Sequence, residues 1–208
     1  MSLQLPHMPR RDDLLQQTRQ TWELVQAGKL DEALEAARAV VAACAAAQVE
    51  SPHVQWVAAV AADRAGKLLD ALRYILKALA LDPLSGPAVH SLDIIAGRSR
   101  KALVDGTMDA EEGLALYRTL SENGLADEAV HLSYAQHLLD FEKPSEALEV
   151  AQAVAVLNPS MADAWRLVGA AATALGQKEL AAEASLRCNA AGAGDGWDSV
   201  PRSAWGSA

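Results

Sequence analysis

The side chains best suited to chemistry in this 208-residue chain are five histidines, two cysteines and a dense set of carboxylates. His131 and His137 stand six residues apart in one helical pattern. Six helical residues turn a side chain through about 600°, so the two rings point to different sides, a poor geometry for one zinc ion. His7, His53 and His90 lie far apart in the chain. Cys44 and Cys188 fall in helical patterns at opposite ends and are expected to be buried structural thiols of a reducing compartment. Asp31, Glu32, Glu35, Glu146 and Glu149 fall on the solvent side of helical patterns. No GxxxxGK[ST], HExxH, GxSxG or CxxC occurs. Gly192, Gly194 and Gly196 alternate after a helical pattern with none following, whereas a dinucleotide fingerprint needs a strand before it and a helix after it. The residues therefore predict no catalytic group, metal or cofactor, and the chain reads as a non-enzyme.

The elements that carry these residues are helical. Apolar residues make up 51% of the chain but aromatics only 4%, so alanine and leucine dominate, and both favour helix. The net charge of −9 and pI near 5.0 exclude the basic footprint of a nucleic-acid binder and disfavour anionic membrane surfaces. Residues 1–11 hold no apolar run of signal-peptide length, and the longest apolar tract, 39–47, is far short of a membrane span. The expectation is a soluble, cytoplasmic protein.

A pattern recurs along the chain. Residues 66–83 read "GKLLDALRYILKALALDP", residues 28–41 "GKLDEALEAARAVV", residues 143–159 "KPSEALEVAQAVAVLNP" and, more weakly, residues 176–188 "GQKELAAEASLRC". Each has a turn, an acidic residue, then apolar residues three and four apart. Ala33, Ala71, Ala147 and Ala181 hold the same place in the four copies, and Gly113 fits a further copy between Ala71 and Ala147. The interval is wider from Ala33 to Ala71 than from Ala147 to Ala181. Self-similarity at a period of roughly 34 residues, with two helical patterns per unit, marks a solenoid. Small residues on paired helices (Ala59 with Ala71, Ala135 with Ala147, Gly169 with Ala181) permit close antiparallel packing. Gly28, Gly66 and Gly176 sit at turns, while Pro83 and Pro159 stop helices. The spacing predicts ten helices in five pairs: 12–27 with 30–48, 52–65 with 68–82, 87–104 with 109–122, 126–141 with 144–158, and 161–175 with 178–190. Asp12 or Asp13, Ser51, Asp109, Asp127 and Ser160 are the expected N-caps. The long early spacings imply extra helical turns there, with irregular stacking near residues 98–110.

The chain resembles the tetratricopeptide repeat family. The likeness is clearest over residues 162–181, where Trp165, Val168, Gly169, Ala172 and Ala181 take the places of the repeat's large, apolar and small signature residues. It extends through Tyr134, Ala135, Leu138, Ala147 and Pro159 and, more loosely, to all but the two ends of the chain. It departs from the pattern at Val154 and, in the third unit, at Asp93. The resemblance implies an all-α fold, an α-solenoid with a right-handed superhelix of antiparallel helix pairs. Its domain would be residues 12–190, after an N-terminal extension (1–11) and before a Gly/Ser/Trp-containing tail (191–208).

The family binds partners on the concave face lined by first helices. Carried over, that face holds His53, Trp56, Val60, Asp63 and Arg64 in unit two. It holds His90, Ile94 and Arg98 in unit three, Leu132, Ser133, Gln136 and Asp140 in unit four, and Asp163, Arg166 and Ala170 in unit five. The positions that grip chaperone C-terminal carboxylates in some relatives hold Trp56, Val60, Ser91, Ala129 and Ser133 here, so that clamp is not expected. The resemblance implies a non-catalytic module that takes a protein or peptide segment. The alternatives are a chaperone resembling those of bacterial secretion systems, or a regulatory scaffold subunit of an enzyme complex. No nucleic acid, membrane or cofactor is expected. The last helix presents Leu180, Ala184 and Leu186, an apolar side that needs a cover. Trp197 and Trp205 of the tail are expected to fold back over it, enter the chain's own groove or reach a neighbouring molecule, so that copies self-associate through the last helix or the tail.

Overall fold

The computed structural model describes residues 11–192. Ten α-helices occupy nearly all of that span: α1 (Arg11–Gln26), α2 (Leu30–Ala46), α3 (Pro52–Arg64), α4 (Leu68–Leu81), α5 (Gly86–Val104), α6 (Ala110–Glu122), α7 (Glu128–Asp140), α8 (Pro144–Leu157), α9 (Ala162–Ala174) and α10 (Lys178–Gly192). The fold is all-α, built from successive helical hairpins. The longer early helices are α2, with 17 residues, and α5, with 19, against 14 in α8.

Helix ends follow local chemistry. Ser51 accepts the Val54 N–H, Asp109 that of Glu112 and Asp127 that of Val130, so three expected caps form. Ser160 does not cap α9. Its hydroxyl donates to Asn158 Oδ1 at 2.8 Å, and Met161 takes the N-cap position without a side-chain bond. Asp12 and Asp13 lie inside the first described turn of α1, not before it. Helix α3 closes in a Schellman pair, with Gly66 N–H donating to Asp63 O and Lys67 N–H to Ala62 O. Gly66 takes φ +73°, which that closure demands. Gln48 (φ 53°) and Glu142 (φ 56°) do the same work without being glycine. Helices α4 and α8 instead end before Pro83 and Pro159.

The chain divides into two compact units between Ser99 and Arg100, within α5. In the first unit α1 pairs with α2 and α3 with α4, and α3 also packs on both α1 and α2. Contact of α3 with both helices of the preceding hairpin stacks one hairpin on the next. The core is small-residue packing: Ala33, Ala37, Ala58 and Ala61 with Val25, joined by Val60 and Tyr74. Arg38 on α2 pairs with Asp70 on α4 at 2.7 Å. In the second unit α7 pairs with α8 and α9 with α10, while α7 touches α9 and α6 touches α7. The close approach of α9 and α10 is visible at Gly169, where an added Cβ would stand 3.6 Å from the Ala184 Cβ.

Two expectations about the last helix and the cysteines are corrected. Ala184 is buried and Leu180 half-buried, but Leu186 is 72% exposed, because it lies two residues, about 200°, round the helix from Ala184. Cys44 is buried, and burial pushes its thiol pKa up, whereas Cys188 is only half-buried. Trp197 and Trp205 lie outside the described residues.

Candidate protein-binding face

On α3 the buried positions face α1, α2 and α4, leaving one stripe turned away from the core. It consists of His53, Trp56, Val60, Asp63 and Arg64, with His53 and Arg64 the most open. Spacings of three, four and seven put these five on one side of the helix. Val60 is the exception in use: it packs partly against the alanine core and offers little free surface.

The stripe is flanked within the first unit by α1 and by the N-terminal part of α5. Trp22 of α1 stacks on Trp56 with ring centroids 5.1 Å apart, and His53 stacks on Trp56 at 5.7 Å, both at 30°. Offset stacking of this kind adds about 1 kcal/mol beyond burial. The Trp56 indole N–H donates to Ser91 Oγ on α5 at 3.0 Å. Both tryptophans remain half-buried. Two helical turns further along α3, Asp63 Oδ2 accepts from Arg98 at 2.6 Å. The Asp63 side chain is only 9% exposed while that of Arg98 is 53% exposed. Asp63 Oδ1 is buried with no hydrogen-bond partner among the described residues. The carboxylate is thus an anchor for the arginine rather than an open acidic site.

Of the residues expected on the face, His53 meets Trp56 and Asp63 meets Arg98, while Arg64, next in the chain to Asp63, is exposed. His90 and Ile94 are exposed on α5. Sequence reasoning missed Trp22. The signal was present, since Trp22 precedes Trp56 by one repeat length. The tryptophan side chains meet although α1 is a poor match to the repeat.

In the second unit the expected residues mostly satisfy one another along a single helix. Gln136 Nε2 donates to Asp140 Oδ1 at 3.0 Å, and Arg166 pairs with Asp163 at 3.2 Å. Ala170 is exposed and Leu132 half-buried. Ser133 is not on an open face: it is buried and donates to the Leu103 carbonyl at 2.9 Å. Trp165 packs in the α9–α10 hairpin, donating to the Pro159 carbonyl at 2.9 Å, with the Arg187 guanidinium 4.5 Å above its ring. Tyr117 stacks on Tyr134 with centroids 3.4 Å apart, and its hydroxyl shares a 2.7 Å hydrogen bond with His131 Nδ1. Burial raises the Tyr117 pKa and lowers that of His131, with Asp127 opposing the latter shift. A cleft of about 70 Å³ nearby is lined by Met108, Leu114, Tyr134, His137 and Phe141 among others. Among the described residues no three potential metal ligands cluster, and no helix is long and apolar enough to cross a membrane.

The sequence matches no protein-family model and no curated protein. The fold is similar to solved structures of MamA. The AMB-1 protein is 15% identical over 90% of this chain and 96% of that one, with a TM-score of 0.42. The protein from Desulfovibrio magneticus RS-1 is 15% identical over 88% of this chain and 94% of that one, with a TM-score of 0.37. The hairpin architecture described above rests on the helices of this chain and not on that likeness.

Proposed function

We propose that the open stripe of α3, bordered by Trp22 on α1 and by Ser91 and Arg98 on α5, binds a segment of another protein and carries out no catalysis. The observation that supports this most is the half-open stack of Trp22, Trp56 and His53. Large aromatics fixed by a neighbouring hydrogen bond yet partly exposed have the character of a binding hot spot, where a handful of residues carries most of the energy. His90 and Ile94 extend the face along α5. Gln136, Asp140, Asp163 and Arg166 form a separate candidate surface within the second unit.

The test is site-specific photo-crosslinking in native lysate. A crosslinker at His53 is expected to capture one partner that a crosslinker at Lys77, on the exposed side of α4, does not. The combined Trp22→Ala and Trp56→Ala change is expected to abolish that capture while far-UV circular dichroism still reports a folded chain. Equal capture from both sites, or capture indifferent to the tryptophans in a folded variant, would move the binding surface elsewhere.

A further inference from the structure

The exposed charges of the α3 stripe and of Arg98 beside it are positive, although the chain as a whole carries −9 and Glu23 and Asp93 are exposed on the flanking helices. The one carboxylate of the stripe, Asp63, is nine-tenths buried and already bound to Arg98. Arg98 donates through one terminal nitrogen and is otherwise half in solvent. Arg64 is the chain neighbour of Asp63 and stands one repeat length before Arg98, at the matching place of the preceding first helix. It is exposed and has no carboxylate partner among the described residues. The reason is visible in the stacking. Where α5 meets α3, Arg98 finds Asp63. Where α3 meets α1, Trp56 is level with Trp22, and α1 ends at Gln26 before it reaches the level of Arg64. The residue seven beyond Trp22 is Lys29, a cation already paired with Glu32 at 3.2 Å. Arg64, next in the chain to Asp63, and Arg98, its ion-pair partner, are therefore two exposed guanidinium groups, while the carboxylate itself is nine-tenths buried.

We propose that this pair selects an acidic partner: a segment whose Asp or Glu side chain is taken by Arg64 and Arg98 while an apolar side chain rests on Trp22 and Trp56. Planar guanidinium donors suit carboxylates by bidentate pairing. Trp56 and Arg64 are eight residues apart on α3, about 12 Å along the axis. An extended segment covers that distance in about four residues, which sets the expected spacing between the apolar and acidic side chains. This rests on the face acting as the binding surface, and the experiment separates the two.

A phage-displayed library of random dodecapeptides would be selected on the full chain, on the Arg64→Glu variant and on the Trp22→Ala/Trp56→Ala variant, each verified as folded by thermal melting. The expected result is enrichment of peptides with an apolar residue about four positions from Asp or Glu. Synthetic copies should bind Arg64→Glu about five- to tenfold more weakly, the range of an exposed bidentate pair, and the selection on that variant should shift toward Lys and Arg. Peptides that need the tryptophans but are neutral or basic, or are indifferent to Arg64→Glu, would overturn the acidic preference alone. Peptides that ignore the tryptophans, or no enrichment on the folded wild type, would overturn the binding face together with it.

Discussion

Trp56 donates its indole N–H to the Ser91 hydroxyl at 3.0 Å, tying α3 to α5 across 35 residues of chain. The bond fixes the orientation of the ring whose other neighbours are Trp22 and His53. Ser91→Ala leaves a half-buried donor without an acceptor, so it is expected to cost about 1 kcal/mol in urea unfolding. Trp56→Phe removes the donor as well, and adding Ser91→Ala to it should then cost markedly less than Ser91→Ala alone.

Asp63 and Arg98 form the second tie between the same helices. The arginine is half-exposed, but the carboxylate is not, and one of its oxygens has no partner among the described residues. Arg98→Ala strands that carboxylate and is expected to cost about 1–3 kcal/mol. Asp63→Ala/Arg98→Ala should be less damaging than the sum of the single changes. An additive double-mutant cycle would mean the pair is not coupled.

Two helices end on the wrong residue type for their backbone. Glu142 holds φ 56° at the end of α7, with Lys143 N–H donating to Leu138 O behind it, and Gln48 does the same after α2. A left-handed residue with a Cβ is strained by about 1 kcal/mol or more. Glu142→Gly and Gln48→Gly are expected to raise stability by about 0.5–1 kcal/mol each, since glycine's extra entropy in the unfolded chain takes back part of the gain. Gly66→Ala should lower stability by a similar amount. No atom lies within 4 Å of its added Cβ, so the cost would be conformational and not steric. Chemical denaturation of the three variants checks the signs.

His131 gives the second unit a pH dependence. Burial lowers its folded-state pKa below the ordinary 6.5, Asp127 acting in the opposite sense. The unfolded chain therefore binds the proton more readily. The stability contributed by the neutral ring is complete above about pH 6.5 and is lost as pH falls below that value toward the folded-state pKa. Protonation would also turn Nδ1 into a donor, so the Tyr117 hydroxyl could only accept across the 2.7 Å contact. The melting temperature of the wild type is expected to fall between pH 7.5 and 5.5 more steeply than that of His131→Gln. Parallel curves would remove His131 as the source.

The hairpin repeat was legible in the sequence because its causes are local. Gly66 at a left-handed turn, Pro83 after a helix end, Ser51, Asp109 and Asp127 as caps, and alanines at helical spacing each act within a few residues. Their effect survives any arrangement of the rest. The expected cap at Ser160 failed to a competing bond only two residues away, to Asn158. The partners across helices were a different matter. Trp22 on Trp56, Asp63 under Arg98 and Tyr117 on Tyr134 depend on how far one helix slides along the next. That offset is set by packing between hairpins whose spacing changes along the chain. Sequence by itself determined the helices, their ends and the small-residue seams that pair them, since steric and hydrogen-bonding preferences of short segments decide those. Only the tertiary structure decided which side chains share a face, and so left Arg64 without the carboxylate that Arg98 finds, because contact between first helices is a property of the stack and not of any one repeat.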